Sequence, residues 1–277
     1  MLPVLLDLKF VKIYTFGVFL MLGFLWASFA LWRNIRLTPH KEDEIFDGLF
    51  ISLFGGLFFG RLVYVLLNFK DFGLSFIKFI LINGYPGMSV YGAIFGALIT
   101  LLIFFSIKKI NFWETIDYFM TPFFIAAVFG KLGGFFSGSE VGTVTKFFLK
   151  TKYFGFDGFR HLTPFYEALF FIVAALLAHR ILFEIRKEKY FRGFLFLISM
   201  WYFSLINILF DKIKVNPLYF LDYSFNKVVS TALLLTISTY FIYYFRVGIL
   251  SFIKGYGQKI AKKIRFGAKR KIGEGKK

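Results

Sequence analysis

Seven apolar runs of about 20 residues, the length that crosses a bilayer as a helix, restrict this chain to one class of fold. They lie near Ile13 to Trp32, Gly48 to Phe69, Pro86 to Ile107, Phe112 to Phe136, Pro164 to Phe183, Gly193 to Phe210 and Val228 to Phe245. Hydrocarbon offers no partner to a backbone N–H or C=O, so each run must satisfy its own hydrogen bonds as a helix. The expected fold is all-α, a polytopic membrane protein with about seven transmembrane helices. A composition of 58% hydrophobic residues with a mean hydropathy of +0.68 exceeds what a soluble core of this size can bury.

Arg33, Arg36 and Lys41 follow the first run, Lys108 and Lys109 the third, and Arg186, Lys187, Lys189 and Arg192 the fifth. The positive-inside rule makes those ends cytoplasmic, so the N-terminus is expected outside and the C-terminus in the cytoplasm. Lys146, Lys150 and Lys152 fall in an outer loop against that trend. MLPVLLDLKF at the start lacks the basic region and small-residue cleavage site of a removable signal peptide and is expected to be retained. No long linker is visible. Residues 1–250 therefore read as one integral domain, and residues 251–277 as a basic cytoplasmic tail.

The net charge of +18 is not the mark of a nucleic-acid binder, because much of it gathers at one place. Ten Lys or Arg and a single acid, Glu274, lie between Lys254 and Lys277. Such a tail is expected to lie on anionic lipid of the cytoplasmic leaflet, and no nucleic acid is expected as a partner. With no cysteine, disulfides, thiolate metal sites and a cysteine nucleophile from this chain are excluded. His40, His161 and His179 are too scattered for a metal cluster. No metal site is expected.

Arg61 stands within the uncharged stretch FFGRLVYVLLNF. A cation deep in a lipid-embedded helix costs roughly 2.5–3.5 kcal/mol on insertion scales and persists where protein, water or an anionic ligand receives it. With alternating spans, Arg61, Tyr91, Lys131, and His161 with Tyr166 and Glu167 all fall at the same end of the bundle. That end is expected to hold a pocket at the outer leaflet, roofed by the Phe136 to Thr163 loop, and its charge and depth suit a phospholipid headgroup. Plainer structural roles remain open: Tyr91 and Tyr166 as interfacial anchors, Glu167 as counterion to Arg61 or Lys131, Lys131 snorkelling to the interface, and His161 capping the fifth span.

Gly130, Gly134, Gly138 and Gly142 recur every four residues, as do Gly56 with Gly60 and Gly92 with Gly96, a spacing that lets membrane helices approach closely. Beyond Gly134 the polar Ser137, Ser139 and Glu140 suggest that the chain leaves the helix as a glycine-rich loop. Its backbone amides are expected to be available to an anion.

At these residues the chain resembles the prolipoprotein diacylglyceryl transferase family. Gly60-Arg61-Leu62-Val63-Tyr64-Val65-Leu66 is similar to an early glycine-arginine element of that family, and Gly87-Met88-Ser89-Val90-Tyr91-Gly92 to its Gly-Met-Ser-aromatic-His-Gly element, with tyrosine in the histidine position. Gly130-Lys131-Leu132-Gly133-Gly134-Phe135-Phe136-Ser137-Gly138 resembles the signature Gly-Arg-x-Gly-Asn-Phe-x-Asn-Gly. His161-Leu162-Thr163-Pro164-Phe165-Tyr166-Glu167 resembles His-Pro-x-Gln-Leu-Tyr-Glu. The departures are Lys131 for arginine, Gly134 and Ser137 for asparagine, and Phe203 or Ser204 followed by Asn207 where the family has an arginine and then a glutamate.

The resemblance implies transfer of a diacylglyceryl group from phosphatidylglycerol to the lipobox cysteine of a prolipoprotein, in a bacterial cytoplasmic membrane, with glycerol phosphate released and no cofactor. It further implies Tyr91 and Glu167 as catalytic residues, and Arg61, Lys131, Ser137, His161 and Tyr166 as substrate-binding ones. A catalytically silent relative that binds phospholipid or lipoprotein precursors is the alternative. A seven-span retinal photoreceptor fits poorly, since the seventh run has no central lysine for a Schiff base.

Overall fold

The computed structural model describes residues 2–8, 11–82, 84–153, 155–215 and 218–274, with only the backbone course at residues 11, 249–250 and 252–274. Among the described residues, seven helices are long and apolar enough to cross a membrane: α1 (Thr15–Ile35), α2 (Glu42–Leu67), α3 (Val90–Ile107), α4 (Phe112–Ser137), α5 (Thr163–Arg186), α6 (Phe194–Asp211) and α7, whose apolar part is Phe225–Gly248. The all-α expectation holds. Among the described residues, three two-stranded hairpins decorate the helices: β1 (Val4–Leu8) with β2 (Val11–Tyr14), β3 (Lys150–Thr151) with β4 (Arg160–His161), and β5 (Tyr219–Phe220) with β6 (Tyr223–Ser224). By internal contacts the chain divides into residues 1–233, which hold α1 to α6 and the start of α7, and residues 234–277, in which that helix continues to Glu274. The side chains of the basic tail, and with them the anionic lipid expected there, lie outside the described residues.

Local chemistry sets the helix ends. α2 begins at Glu42, six residues before the apolar run at Gly48, because Glu42, Asp43 and Glu44 in its first turn complement the positive end of the helix dipole. α3 begins at Val90 and not at Pro86, since the Ser89 hydroxyl accepts from Gly92 N and caps it. α6 is capped from another helix: Asp117 of α4, buried, accepts from Gly193 N at 2.7 Å and Phe196 N at 2.8 Å. Within α4 the helix runs past Gly134 to Ser137, whose hydroxyl bonds back to Gly134 O at 3.3 Å, and stops at Gly138 in the left-handed conformation, φ 73°. Ser137 is thus satisfied inside the helix rather than in a loop.

Small residues bring the helices together. A Cβ on Gly55 would lie 2.1 Å from the Thr100 hydroxyl, and one on Gly96 would lie 2.3 Å from Phe59 Cβ and 2.9 Å from Gly55 O, so α2 and α3 meet nearly backbone to backbone. Gly23 against Phe129, and Gly133 against Phe19, do the same for α1 and α4. Gly130 corrects the spacing argument: a Cβ there would meet nothing within 4 Å. Outward-facing Phe54, Leu57, Ile103, Leu176 and their neighbours stay exposed along the spans, as lipid-facing side chains do.

Ser89 N donates to Gly60 O at 2.9 Å, Leu2 N to Phe136 O at 3.0 Å, and Lys131 of α4 contacts Glu167 of α5. The end of α2, the start of α3, the end of α4 and the start of α5 are thereby drawn to one end of the bundle. Gly96→Ala is expected to cost about 1–3 kcal/mol by overpacking the α2–α3 seam, whereas Gly130→Ala is neutral or slightly stabilising through helix propensity. Thermal unfolding of both variants in one detergent checks the contrast.

Candidate functional site

The charged groups at this end form a connected cluster. Lys131 comes from the last turns of α4, Glu167 from the second turn of α5, and Lys214 from the segment that leaves α6. Lys131 Nζ lies 2.9 Å from Glu167 Oε2 and 2.6 Å from Glu140 Oε2, while Lys214 Nζ lies 2.5 Å from Glu167 Oε1. Glu167 has a side-chain exposure of 0%, and Glu140 of 40%. The two carboxylates therefore differ in kind: Glu167 is enclosed and holds both ammonium groups, whereas Glu140 is partly solvated and holds only one.

The backbone explains how Lys214 arrives there. Residues Val141 to Thr145 run extended between two neighbours: Thr143 N donates to Ile213 O at 2.9 Å and Val215 N to Val141 O at 3.1 Å on one side, while His161 N donates to Thr143 O at 3.0 Å and Thr145 N to Phe159 O at 2.8 Å on the other. Gly142 sits opposite Lys214 in this arrangement, and a Cβ on it would come within 2.4 Å of His161 O. Thr163 Oγ1 also donates to Ile213 O at 3.2 Å, fastening the segment to the start of α5. Lys214 then reaches Asn207 Oδ1 at 3.5 Å as well.

Two sequence departures acquire physical reasons. A Cβ on Gly134 would lie 3.2 Å from Glu140 Oε1 and 3.3 Å from its Cδ, so the glycine leaves the space through which Glu140 reaches Lys131. Phe203 belongs to an aromatic cluster, stacked on Phe171 at 5.6 Å and edge-on to Phe123 and Tyr91 at 5.5 and 5.9 Å. A guanidinium at that position would be surrounded by rings. The second cation enters instead from Lys214, beyond the end of α6.

Of the residues expected from sequence, the structure brings Lys131 into contact with Glu167 and His161 with Tyr166, while Arg61, Tyr91 and Ser137 bond to other groups. Arg61, buried, donates to Phe79 O at 3.0 Å, Gly87 O at 2.8 Å and Lys78 O at 2.7 Å, and lies over the rings of Phe72 and Tyr64. Its partners are carbonyl groups of the 78–87 segment, which it ties to α2. The buried Tyr91 hydroxyl is hydrogen-bonded to Ser230. His161 packs its ring against Phe147 and Tyr166, and its Nδ1 is buried with no hydrogen-bond partner. Tyr166 donates to Leu149 O at 2.5 Å. Ser137 donates to Gly134 O, and its oxygen accepts from Ser139 N at 3.3 Å.

Three of the loop amides expected to be available to an anion are bonded within the chain. Gly138 N bonds to Phe135 O, Ser139 N to the Ser137 hydroxyl and Glu140 N to Gly134 O, so positive charge is presented by ammonium groups. Sequence reasoning missed Lys214, since Lys212 and Lys214 after an apolar run read as ordinary interfacial cations, and it treated Glu140 only as loop polarity. It also passed over Tyr153, buried beneath the loop, whose hydroxyl donates to His161 O at 3.4 Å. Burial above all, with Tyr166 and Glu140 adding repulsion, pushes the Tyr153 phenol up to about 12. It is a hydrogen-bond donor at neutral pH, not a base.

Glu167→Gln removes the buried carboxylate shared by two partly buried ammonium groups and is expected to cost roughly 3–5 kcal/mol. Glu140→Gln, at a half-solvated pair, is expected to cost about 1 kcal/mol or less. Thermal unfolding in detergent separates the two. The raised phenol keeps its proton in the folded state after the unfolded chain, with an ordinary value near 10, has lost its own. The contribution of Tyr153 to stability is therefore complete below about pH 10 and lost as pH rises towards 12. Ultraviolet titration of the wild type against Tyr153→Phe is expected to differ only in that alkaline range.

The sequence pattern of the prolipoprotein diacylglyceryl transferase family matches residues 3–244. Relatives named phosphatidylglycerol–prolipoprotein diacylglyceryl transferase include one from Clostridium tetani, 28% identical over 63% of this chain and 72% of its own length. Another, from Listeria monocytogenes serotype 4a, is 26% identical over 88% of this chain and 90% of its own length. A third, from Clostridium perfringens, is 27% identical over 82% and 88%. With the family pattern covering nearly the whole chain and seven apolar helices to carry it, this protein belongs to the prolipoprotein diacylglyceryl transferase family.

Proposed function

We propose that this protein transfers a diacylglyceryl group from phosphatidylglycerol to the lipobox cysteine thiol of prolipoproteins, at the end of the bundle where Lys131, Glu167 and Lys214 meet. We further place that end on the outer side of a bacterial cytoplasmic membrane, in keeping with the Lys and Arg that follow α1, α3 and α5. The relatives are named for this reaction. One observation carries the assignment of the site: two ammonium groups share a fully buried carboxylate while one of them also holds a carboxylate that solvent reaches.

The reaction forms a bond from the substrate sulfur to the glyceryl carbon and breaks the bond from that carbon to phosphate oxygen, whose electron pair leaves with glycerol phosphate. The departing phosphate gains one negative charge. Preorganised cations at that oxygen lower the barrier because they are stronger there than for the starting diester. Lys131 and Lys214 supply them, and Glu167 is the positioning residue that holds both at a fixed spacing. The incoming phosphate displaces Glu140 from Lys131, since a half-solvated carboxylate on a loop is the easier of the two to move. The freed Glu140 then accepts the thiol proton, making the thiolate that attacks. Tyr153 donates a hydrogen bond to His161 O but takes no proton. Arg61 shapes the same end of the bundle by fixing the 78–87 segment.

Purified protein in phosphatidylglycerol vesicles is expected to convert a lipobox peptide to its diacylglyceryl thioether, read by mass spectrometry. Lys131→Ala and Lys214→Ala are each expected to lower kcat/KM by about 10²-fold or more, with Lys214→Arg retaining most activity. Glu140→Gln is expected to lower kcat by about 10²-fold without weakening lipid binding. A folded wild type that binds phosphatidylglycerol yet forms no thioether would establish a lipid-binding relative instead.

A further inference from the structure

The hairpin above the site has a surface that water alone does not explain. Between Val144 and His161 it carries Lys146, Lys150, Lys152 and Arg160 against one acid, Asp157. The same stretch leaves Val144, Phe147, Phe148, Leu149, Phe156 and Phe159 exposed, with Phe148 at 77%. The charges and the rings are interleaved. Lys150 and Lys152 place their ammonium groups 4.9 and 5.2 Å from the Phe159 ring, and Arg160 lies 5.0 Å from that of Phe156. Basic heads on an exposed apolar body are the composition of a segment seated at a membrane interface.

Its depth is fixed by one bond. Tyr166 donates to Leu149 O at 2.5 Å, and Phe147 packs its ring towards Tyr166 and His161. Tyr166 stands three residues into α5, which begins at Thr163, or about 4.5 Å along a spanning helix. The stretch from Phe147 to Leu149 is therefore folded back to the level at which the span enters lipid. Contiguous exposed apolar surface at that level requires a covering partner, and four cations select an anionic one.

We propose that the Val144–His161 hairpin docks on an anionic phospholipid leaflet, with Phe148 in the acyl boundary and Lys146, Lys150, Lys152 and Arg160 on headgroup phosphates. The docked hairpin enriches anionic lipid beside the cluster of Lys131, Glu140, Glu167 and Lys214. This surface is separate from that cluster, and its occupancy does not depend on which reaction the cluster performs.

The chain contains no cysteine, so Phe148→Cys provides a unique thiol for an environment-sensitive fluorophore on the full-length protein. The labelled protein is reconstituted in phosphatidylcholine vesicles holding a minor fraction of phosphatidylglycerol. A nitroxide is placed near the headgroup on one lipid or the other at equal mole fraction. Quenching is expected from both, and about threefold or more stronger from phosphatidylglycerol. Lys150→Glu with Lys152→Glu is expected to abolish the preference while quenching by phosphatidylcholine persists; Phe147→Cys repeats the measurement should the first variant unfold. Equal quenching by the two lipids, a preference that survives the double charge reversal, or quenching by aqueous iodide alone would overturn the proposal. So would a label that is shielded only when a lipobox peptide is added, which would place a peptide on this face instead.

Discussion

A carboxylate with no solvent contact must be matched by positive charge from the protein, and Glu167 draws that charge from two places far apart in sequence. Lys131 reaches it from the end of α4 and Lys214 from the segment after α6. An unpaired ion at this depth would be several kcal/mol out of balance, so the three elements are held together by electrostatics as much as by packing. Glu140, the most exposed member of the cluster, lies on the loop after α4, so the two carboxylates differ in exposure.

The glycines make this meeting of charges geometrically possible. The α2–α3 seam, closed by Gly55, Gly56, Gly92 and Gly96, and the α1–α4 seam, closed by Gly23 and Gly133, bring helix ends into register. Gly134 and Gly142 act on a finer scale. The first admits the Glu140 side chain to Lys131, and the second lets the 141–145 segment pass close enough to His161 and Lys214 to carry backbone bonds on both sides. A small residue can serve helix packing at one position and access to a charge at the next, which periodicity alone cannot separate. Gly130, with nothing near it, serves neither.

Arg61 and Phe203 show how position overrides residue type. Arg61 looked like a cation in want of an anion, yet its N–H groups are satisfied by three carbonyls with no acid required, a solution that desolvates the charge within a fixed hydrogen-bond cage. Phe203 stands in an aromatic cluster that has no room for charge, and the cation appears a turn beyond the helix at Lys214.

The seven helices and the gathering of Tyr91, Lys131 and Glu167 at one end were readable from the sequence, whereas the start of α2 at Glu42 and the run of α7 on to Glu274 were not. Apolar length and charge breaks are local properties, and alternation of spans converts them into an order of ends. The pairing of Lys131 with Glu167 was among the alternatives the residues allowed, but Lys214 and Glu140 were not recognisable as members of the cluster. Nothing local distinguishes a lysine that snorkels from one that turns inwards. That choice is made by the hydrogen bonds from Thr143 N to Ile213 O and from Val215 N to Val141 O, between segments some seventy residues apart. Which charges pair is a matter of distances between chain segments, and only the tertiary structure sets those distances.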